Sequence, residues 1–342
     1  MRIGVLTGGG DCPGLNPVIR AIVRAASPYG DEIVGLRNGW AGLVNNLPAM
    51  ELNMTTVTGI LHRGGTILGT SRTNPYKDKE ALANLKKNWK GLNLDALIAI
   101  GGEDTLGVAT KLSAEGFPVV GVPKTIDNDL SGTDYTFGFD TAVNIVMEAI
   151  DRLHTTAESH HRIMVVEVMG RHAGWIALHA GLAGGADVIL LPEFAMTMDE
   201  IVSTIQKRHA RGKSFSIVVV AEGAQIKGWD LVLKQQKKDS FGHVLLGGIS
   251  HTLGKEIEKR TGFETRVTEL GHIQRGGSPT AFDRVLGTRF GVKAVELVKQ
   301  KKYGYMVALR GTEIAAVKIA DATKKLKVVD KELYKMAQKF FG

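Results

Sequence analysis

Val119-Val120-Gly121-Val122-Pro123-Lys124-Thr125-Ile126-Asp127-Asn128-Asp129-Leu130 is an apolar run that ends in a polar turn. A run of this length, bounded in this way, reads as a buried parallel strand. Such a strand delivers side chains to its C-terminal edge, where open α/β sheets place their ligands. Two carboxylates two residues apart, with a hydroxyl and an ammonium beside them, supply a general base, a charge clamp and a substrate anchor from one loop. The local alternative is an Asx turn, because Asp and Asn favour turns for reasons of their own.

The same design recurs on both sides of this stretch. Ile3 to Thr7 is a short strand running into Gly8-Gly9-Gly10-Asp11-Cys12-Pro13-Gly14-Leu15-Asn16, and Pro17, Val18, Ile19, Ile22, Val23 and Ala26 then repeat at helical spacing. Strand, glycine loop and helix together present backbone N–H groups and a positive helix end to phosphate. Pro13 breaks a dinucleotide fingerprint, and Leu15-Asn16 break a Walker loop. Glu32 to Gly39 is a second strand-like run. His62 to Arg72 is a Gly/Ser/Thr loop ending in a guanidinium able to bridge phosphate oxygens, or else in a solvated arginine. A helix is expected from Lys79 to Trp89.

Leu94 to Ile100 is a buried strand ending in Gly101-Gly102-Glu103-Asp104-Thr105, ahead of a helix from Leu106 to Glu115. Two acids at a phosphate-binding turn repel the ligand unless Mg²⁺ intervenes, which makes Glu103 a metal partner. Otherwise both acids simply favour the helix N-terminus. Further on, a helix is expected over Thr141 to Thr156, strands over Ile163–Val168, Val188–Glu193 and Ser216–Gly223, and a helix over Ile249 to Arg260. Arg171 and Glu222 follow strand ends. Arg266, His272 and Arg275 bring cationic groups to Thr265–Pro279, where the guanidinium fork matches phosphate.

At 342 residues the chain exceeds one typical core, and its 44% apolar content is ample for burial without any 18-residue apolar run. Two domains, or one large α/β unit with an internal division, and no membrane association are expected. The start of the chain has no signal-peptide layout, and the single cysteine, Cys12, fits a reducing compartment, so a cytoplasmic location is expected. The net charge of +8 is carried by lysines spread over Lys234–Lys238, Lys299–Lys302 and Lys324–Lys327 with few aromatics between them. They read as solvated faces rather than a nucleic-acid platform. A basic balance also captures anionic small substrates. From Gly223 to Gly247 the chain turns polar and reads as an excursion from the core.

The set Thr7–Asn16, Gly101–Thr105, Pro123–Asp129, Met169-Gly170-Arg171 and Gly271–Pro279 resembles the 6-phosphofructokinase family, in order from residue 3 to about residue 320. The resemblance implies an α/β fold of two Rossmann-like three-layer domains with largely parallel sheets facing a cleft. Residues 1–138 plus 274–323 would handle the phosphoryl donor, and 139–273 plus 324–342 fructose 6-phosphate. It also implies Mg²⁺-assisted transfer to the sugar C1 hydroxyl. Asp127 then resembles the base, with Thr125 and Asp129 setting the reacting groups. Met169, Gly170, Arg171 and Glu222 would hold the sugar, and His272 and Arg275 its 6-phosphate. Arg162 and Arg266 resemble arginines reaching a neighbouring subunit, which implies a homodimer or homotetramer with shared sites. Gly10 and Glu103 correspond to donor-phosphate and Mg²⁺ positions, and Arg72 lies near the transferred phosphoryl.

Within the family, ATP-using members tend to have glycine where Asp104 stands and a small residue where Lys124 stands, whereas pyrophosphate-using members resemble this chain. The Gly-Gly-Glu-Asp-Thr motif resembles the branch that contains both donor types. An Asp104 carboxylate repels a nucleotide α-phosphate, while Lys124 stabilises departing phosphate. Pyrophosphate is the expected donor, and ATP the alternative. A silent sugar-phosphate sensor is the more distant one. Arg20, Arg24, Arg211 and Lys213 match basic residues of the family's effector site. Met54, His154 and Phe215 do not match its further partners, so nucleotide control is not expected.

Overall fold

The computed structural model describes residues 1–229 and 247–342. Most of the polar excursion, residues 230–246, lies outside the described residues. The first strands in chain order are β1 (Arg2–Thr7), β2 (Glu32–Leu36), β3 (Met50–Leu52), β4 (Ala96–Gly101) and β5 (Val119–Pro123). They are followed by β6 (Ile163–Val168), β7 (Val188–Leu190), β8 (Met196–Thr197), β9 (Ser216–Ala221), β10 (Ile226–Lys227), β11 (Thr265–Glu269), β12 (Tyr305–Arg310) and β13 (Glu313–Lys318). The chain divides into two compact units, one of 1–126, 130–141 and 275–326, the other of 127–129, 142–274 and 327–342. The short run Asp127–Asp129 therefore groups with the second unit, although the residues on both sides of it belong to the first.

The first unit is built on a sheet ordered β13-β12-β5-β4-β1-β2-β3. Its β12-β5-β4-β1-β2 centre is parallel, and β3 and β13 are antiparallel edges. The centre holds because β4 and β5 are buried at every residue, as continuous apolar runs with helices on both faces must be. Trp40, Leu43, Leu85 and Trp89 pack with Leu97 and Ala99 in one cluster. Each leucine among them contributes roughly 1.5–3 kcal/mol when fully buried. The helices Leu15–Ala26 and Ala281–Lys299 lie unusually close, since a methyl on Gly291 would meet Val18 O at 2.7 Å.

The second unit carries a parallel sheet ordered β11-β6-β9-β7, with β8 and β10 as a separate short pair. Several element limits shift from the expected ones. The helix after Gly102 begins at Glu103, three residues before the apolar periodicity, because both acids are accommodated in its first turn. The strand at Val188 ends at Leu190, before Pro192. The run from Glu32 turns after Leu36, at Asn38 and Gly39, both at positive φ. No helix among the described residues is long and apolar enough to cross a membrane.

Two lysines expected on solvated faces are instead engaged. Lys299 pairs with the Asp31 carboxylate at 2.9 Å. Lys327 donates to Asn128 Oδ1 at 3.0 Å. Composition alone misplaced them, because their partners lie far away in sequence.

Candidate active site

In the first unit the C-terminal strand edge is a convergence of loops. Gly8 N donates to Ile100 O at 2.9 Å, and Gly9 N to Ser71 O at 3.0 Å. Thr70 Oγ1 donates to Gly9 O at 2.6 Å and Thr7 Oγ1 to Gly69 O at 2.8 Å. Asn16 holds the preceding loop through Arg63 O at 3.0 Å and Ile67 N at 2.9 Å. The backbone around Arg72 is thereby fixed against the glycine loop, and its side chain is exposed.

The three consecutive glycines sit in different surroundings. Gly9 has φ 79°, in the left-handed region that favours glycine. A side chain on Gly8 would collide with Thr105, and one on Gly10 would overlap the Arg275 guanidinium, whose Cζ lies 3.0 Å from the methyl position. Arg275 Nη1 also donates to Asp11 O at 3.4 Å. Lys124, 4% exposed, donates its ammonium to Gly10 O and its N–H to Gly101 O at 3.0 Å. Two cations therefore bracket Gly10. Cys12 is buried in the same loop, where burial pushes its thiol up to about 12, too high to be a nucleophile at neutral pH.

Glu103 is exposed and Asp104 half-buried in the first turn of helix Glu103–Ala114, whose N-cap, Gly102, offers no side-chain cap. Among the described residues no three His, Cys, Asp or Glu side chains are grouped to hold a metal. One or two carboxylates completed by waters and phosphate oxygens are a donor set that suits Mg²⁺ and does not build a self-sufficient cage. Thr125 accepts from Thr136 Oγ1 through its carbonyl at 2.8 Å, which anchors the turn after β5.

The second unit's strand edge is built differently. β6 is followed by Met169, Gly170 and Arg171, the last two at φ 144° and 53°. Arg171 N donates to Glu222 Oε1 at 3.0 Å, and Glu222 N to Val168 O at 2.8 Å, so the ends of β6 and β9 are stitched together. Burial pushes Glu222 up to about 7; the Arg171 N–H opposes the shift and the Asp127 charge adds to it. Met169 N donates to the Gln274 amide at 3.2 Å, and Gln274, fully buried, donates in turn to Gly271 O at 3.1 Å. This fixes the 3₁₀ turn that carries His272, itself exposed.

Asp127, Asn128 and Asp129 are buried to 5%, 2% and 8% exposure. Asn128 sits at φ 51° and Asp129 O accepts from Lys327 N at 2.8 Å. Arg162 and Arg266 both pair with Glu264, Arg162 Nε at 2.8 Å. His272 and Arg275, the residues expected to share a phosphate, stand in one 3₁₀ turn, Gly271–Arg275. Sequence reasoning missed Lys327, Gln274 and Glu167. Glu167 is a 6%-exposed carboxylate that accepts from Gly248 N at 2.9 Å, Ser250 N at 3.0 Å and Ser250 Oγ at 2.6 Å. The signal for Glu167 was a lone acid inside an otherwise apolar strand.

Comparison with known proteins returns one consistent pattern. The family description "Phosphofructokinase" matches residues 2–298. A Streptomyces coelicolor protein named pyrophosphate–fructose 6-phosphate 1-phosphotransferase is 60% identical over the whole of both chains. A second Streptomyces coelicolor protein, named ATP-dependent 6-phosphofructokinase 3, is 52% identical over 99% of each chain. Among solved structures, a pyrophosphate-dependent phosphofructokinase from Marinobacter aquaeolei matches with TM-score 0.82 at 21% identity, covering all of this chain and 92% of that one, which speaks to the fold.

Proposed function

The chain belongs to the phosphofructokinase family, and from that membership we propose that it is a pyrophosphate-dependent 6-phosphofructokinase. It moves a phosphoryl group reversibly between diphosphate and the C1 hydroxyl of fructose 6-phosphate, giving fructose 1,6-bisphosphate and phosphate. The observation that carries the donor choice is the pairing at one strand edge of a buried Lys124, bonded to Gly10 O and Gly101 O, with Asp104 in the helix turn that Gly101 and Gly102 lead into.

The chemistry follows from these groups. Asp127 accepts the C1 hydroxyl proton as that oxygen attacks the terminal phosphorus. The bridging P–O bond breaks, and inorganic phosphate leaves with the electron pair. Lys124, the loop N–H groups and Arg72 offset the charge on the transferring and departing groups, which is where fixed dipoles act most strongly. Mg²⁺, with Glu103 as its protein partner, supplies further neutralisation of the donor oxygens when bound. Asp104 disfavours a nucleotide because an α-phosphate placed beside a carboxylate is repelled.

On the acceptor side, Arg171 with Met169, Gly170, Glu222 and Asp129 holds the sugar, Thr125 helps set the reacting groups, and His272 and Arg275 hold the 6-phosphate. Arg162 and Arg266, pre-aligned on Glu264, reach the sugar phosphate of a second copy in a homodimer or homotetramer. A cytoplasmic setting suits the buried free thiol of Cys12 and the phosphorylated substrates. A coupled assay with fructose 6-phosphate and Mg²⁺, comparing the two donors, tests the reading. Turnover with pyrophosphate and little with ATP is expected; saturable ATP turnover alone would make this an ATP-dependent kinase instead.

A further inference from the structure

The segment Asp127–Asp129 is three residues long, buried, and flanked on both sides by residues of the other unit. Lys327, also in the second unit, bonds to it twice. Its backbone N–H donates to Asp129 O at 2.8 Å, and its ammonium to Asn128 Oδ1 at 3.0 Å. Its carbonyl accepts from Trp175 Nε1 at 2.9 Å, while the ammonium lies 5.3 Å from the Trp175 ring centroid.

Asn128 is the strained member of the segment, at φ 51°. Asn tolerates this region when its side chain is engaged, and the ammonium engages it. A cation held over an indole and bonded to an amide oxygen is well fixed, because cation–π attraction and a charge-assisted hydrogen bond add at one Nζ. The same ammonium enters a segment that carries a carboxylate on each side of Asn128. A shift of about 1 Å in a reacting group can lower a rate on the order of 10²-fold.

We infer that Lys327 is a positioning residue for the reaction, fixing the Asn128 turn and through it the carboxylate of Asp127. This rests on Asp127 being the base. Lys327→Met removes the ammonium and keeps both backbone bonds, and Lys327→Arg restores a cationic donor. In the pyrophosphate assay, Lys327→Met should lower kcat roughly 10- to 100-fold, with the KM for fructose 6-phosphate within about threefold of the parent. Lys327→Arg should recover a substantial part of kcat.

Two further readouts separate positioning from general structure. Thermal unfolding of Lys327→Met should stay close to the parent. In an Asp127→Asn background, adding Lys327→Met should lower kcat hardly further, since residues acting through one another are not additive. A parent-like kcat in Lys327→Met, or a full further loss in the Asp127→Asn background, overturns the proposal. Parent-like turnover of Asp127→Asn itself overturns the base assignment, and the proposal with it.

Discussion

The two strand edges are made from opposite chemistry. In the first unit, loops bonded to one another through backbone and hydroxyl groups set an ammonium and a guanidinium around Gly10. In the second, carboxylates do the organising: Glu222 stitches β6 to β9, and Glu167 caps the helix Ile249–Thr261. An edge rich in cations and N–H groups suits a polyanion, and one rich in acceptors suits the hydroxyls of a sugar. Fold alone does not distinguish the two, since both edges end parallel strands; the residues that follow those strands do.

The largest effect expected on this contrast comes from Asp127→Asn, which should lower turnover ~10²- to 10⁴-fold while leaving fructose 6-phosphate binding largely intact by calorimetry. Loss of binding in step with turnover would make Asp127 a sugar ligand first. Glu167→Ala should destabilise the chain by about 3–5 kcal/mol in denaturant unfolding, because it strips a buried carboxylate from Ser250 and from a helix N-terminus. Glu167→Gln should cost about half as much, keeping one acceptor. An unchanged midpoint would mean that the cap is redundant.

Gly10→Ala tests the cationic edge. Gly10 stands at the proposed donor-phosphate position and a methyl there crowds that loop, so the KM for pyrophosphate should rise about tenfold, which corresponds to ~1.4 kcal/mol. The smallest effect concerns pH. Glu222 sits at about 7 in the folded chain against an ordinary 4.5. The folded state therefore holds a proton that the unfolded state has released, and stability falls as pH rises from 4.5 through about 7. Asp283, raised to about 6 by burial, adds to the same slope. Glu222→Gln should flatten this dependence, read from unfolding midpoints across that window, and an unchanged slope would remove Glu222 as its source.

Much of this was legible in the chain. β1, β4, β5, β6 and β9 are buried and largely apolar, and each is followed by a charged or glycine-rich turn. What stayed hidden depended on distant partners. Lys327 stands in a lysine-rich tract that looks solvated, and its partners Asn128 and Trp175 lie 199 and 152 residues away. Glu167 belongs to an apolar run and meets Ser250 across 83 residues. The seating of Arg275 on Gly10 spans most of the chain, and nothing in either motif alone reports it. The hairpin of β12 and β13 was not recognised, as β13 is only partly buried and lacks the continuous apolar run of the central strands.

The donor edge is tested most directly by the ratio of kcat/KM for pyrophosphate to that for ATP, measured at saturating fructose 6-phosphate and Mg²⁺ in the parent and in an Asp104→Gly/Lys124→Gly variant. Removing the carboxylate proposed to repel a nucleotide, together with the ammonium proposed to stabilise leaving phosphate, should shift this ratio toward ATP by about 100-fold or more, with ATP turnover rising in absolute terms. A ratio that stays where it was, or ATP turnover that falls with the substitutions, contradicts the account.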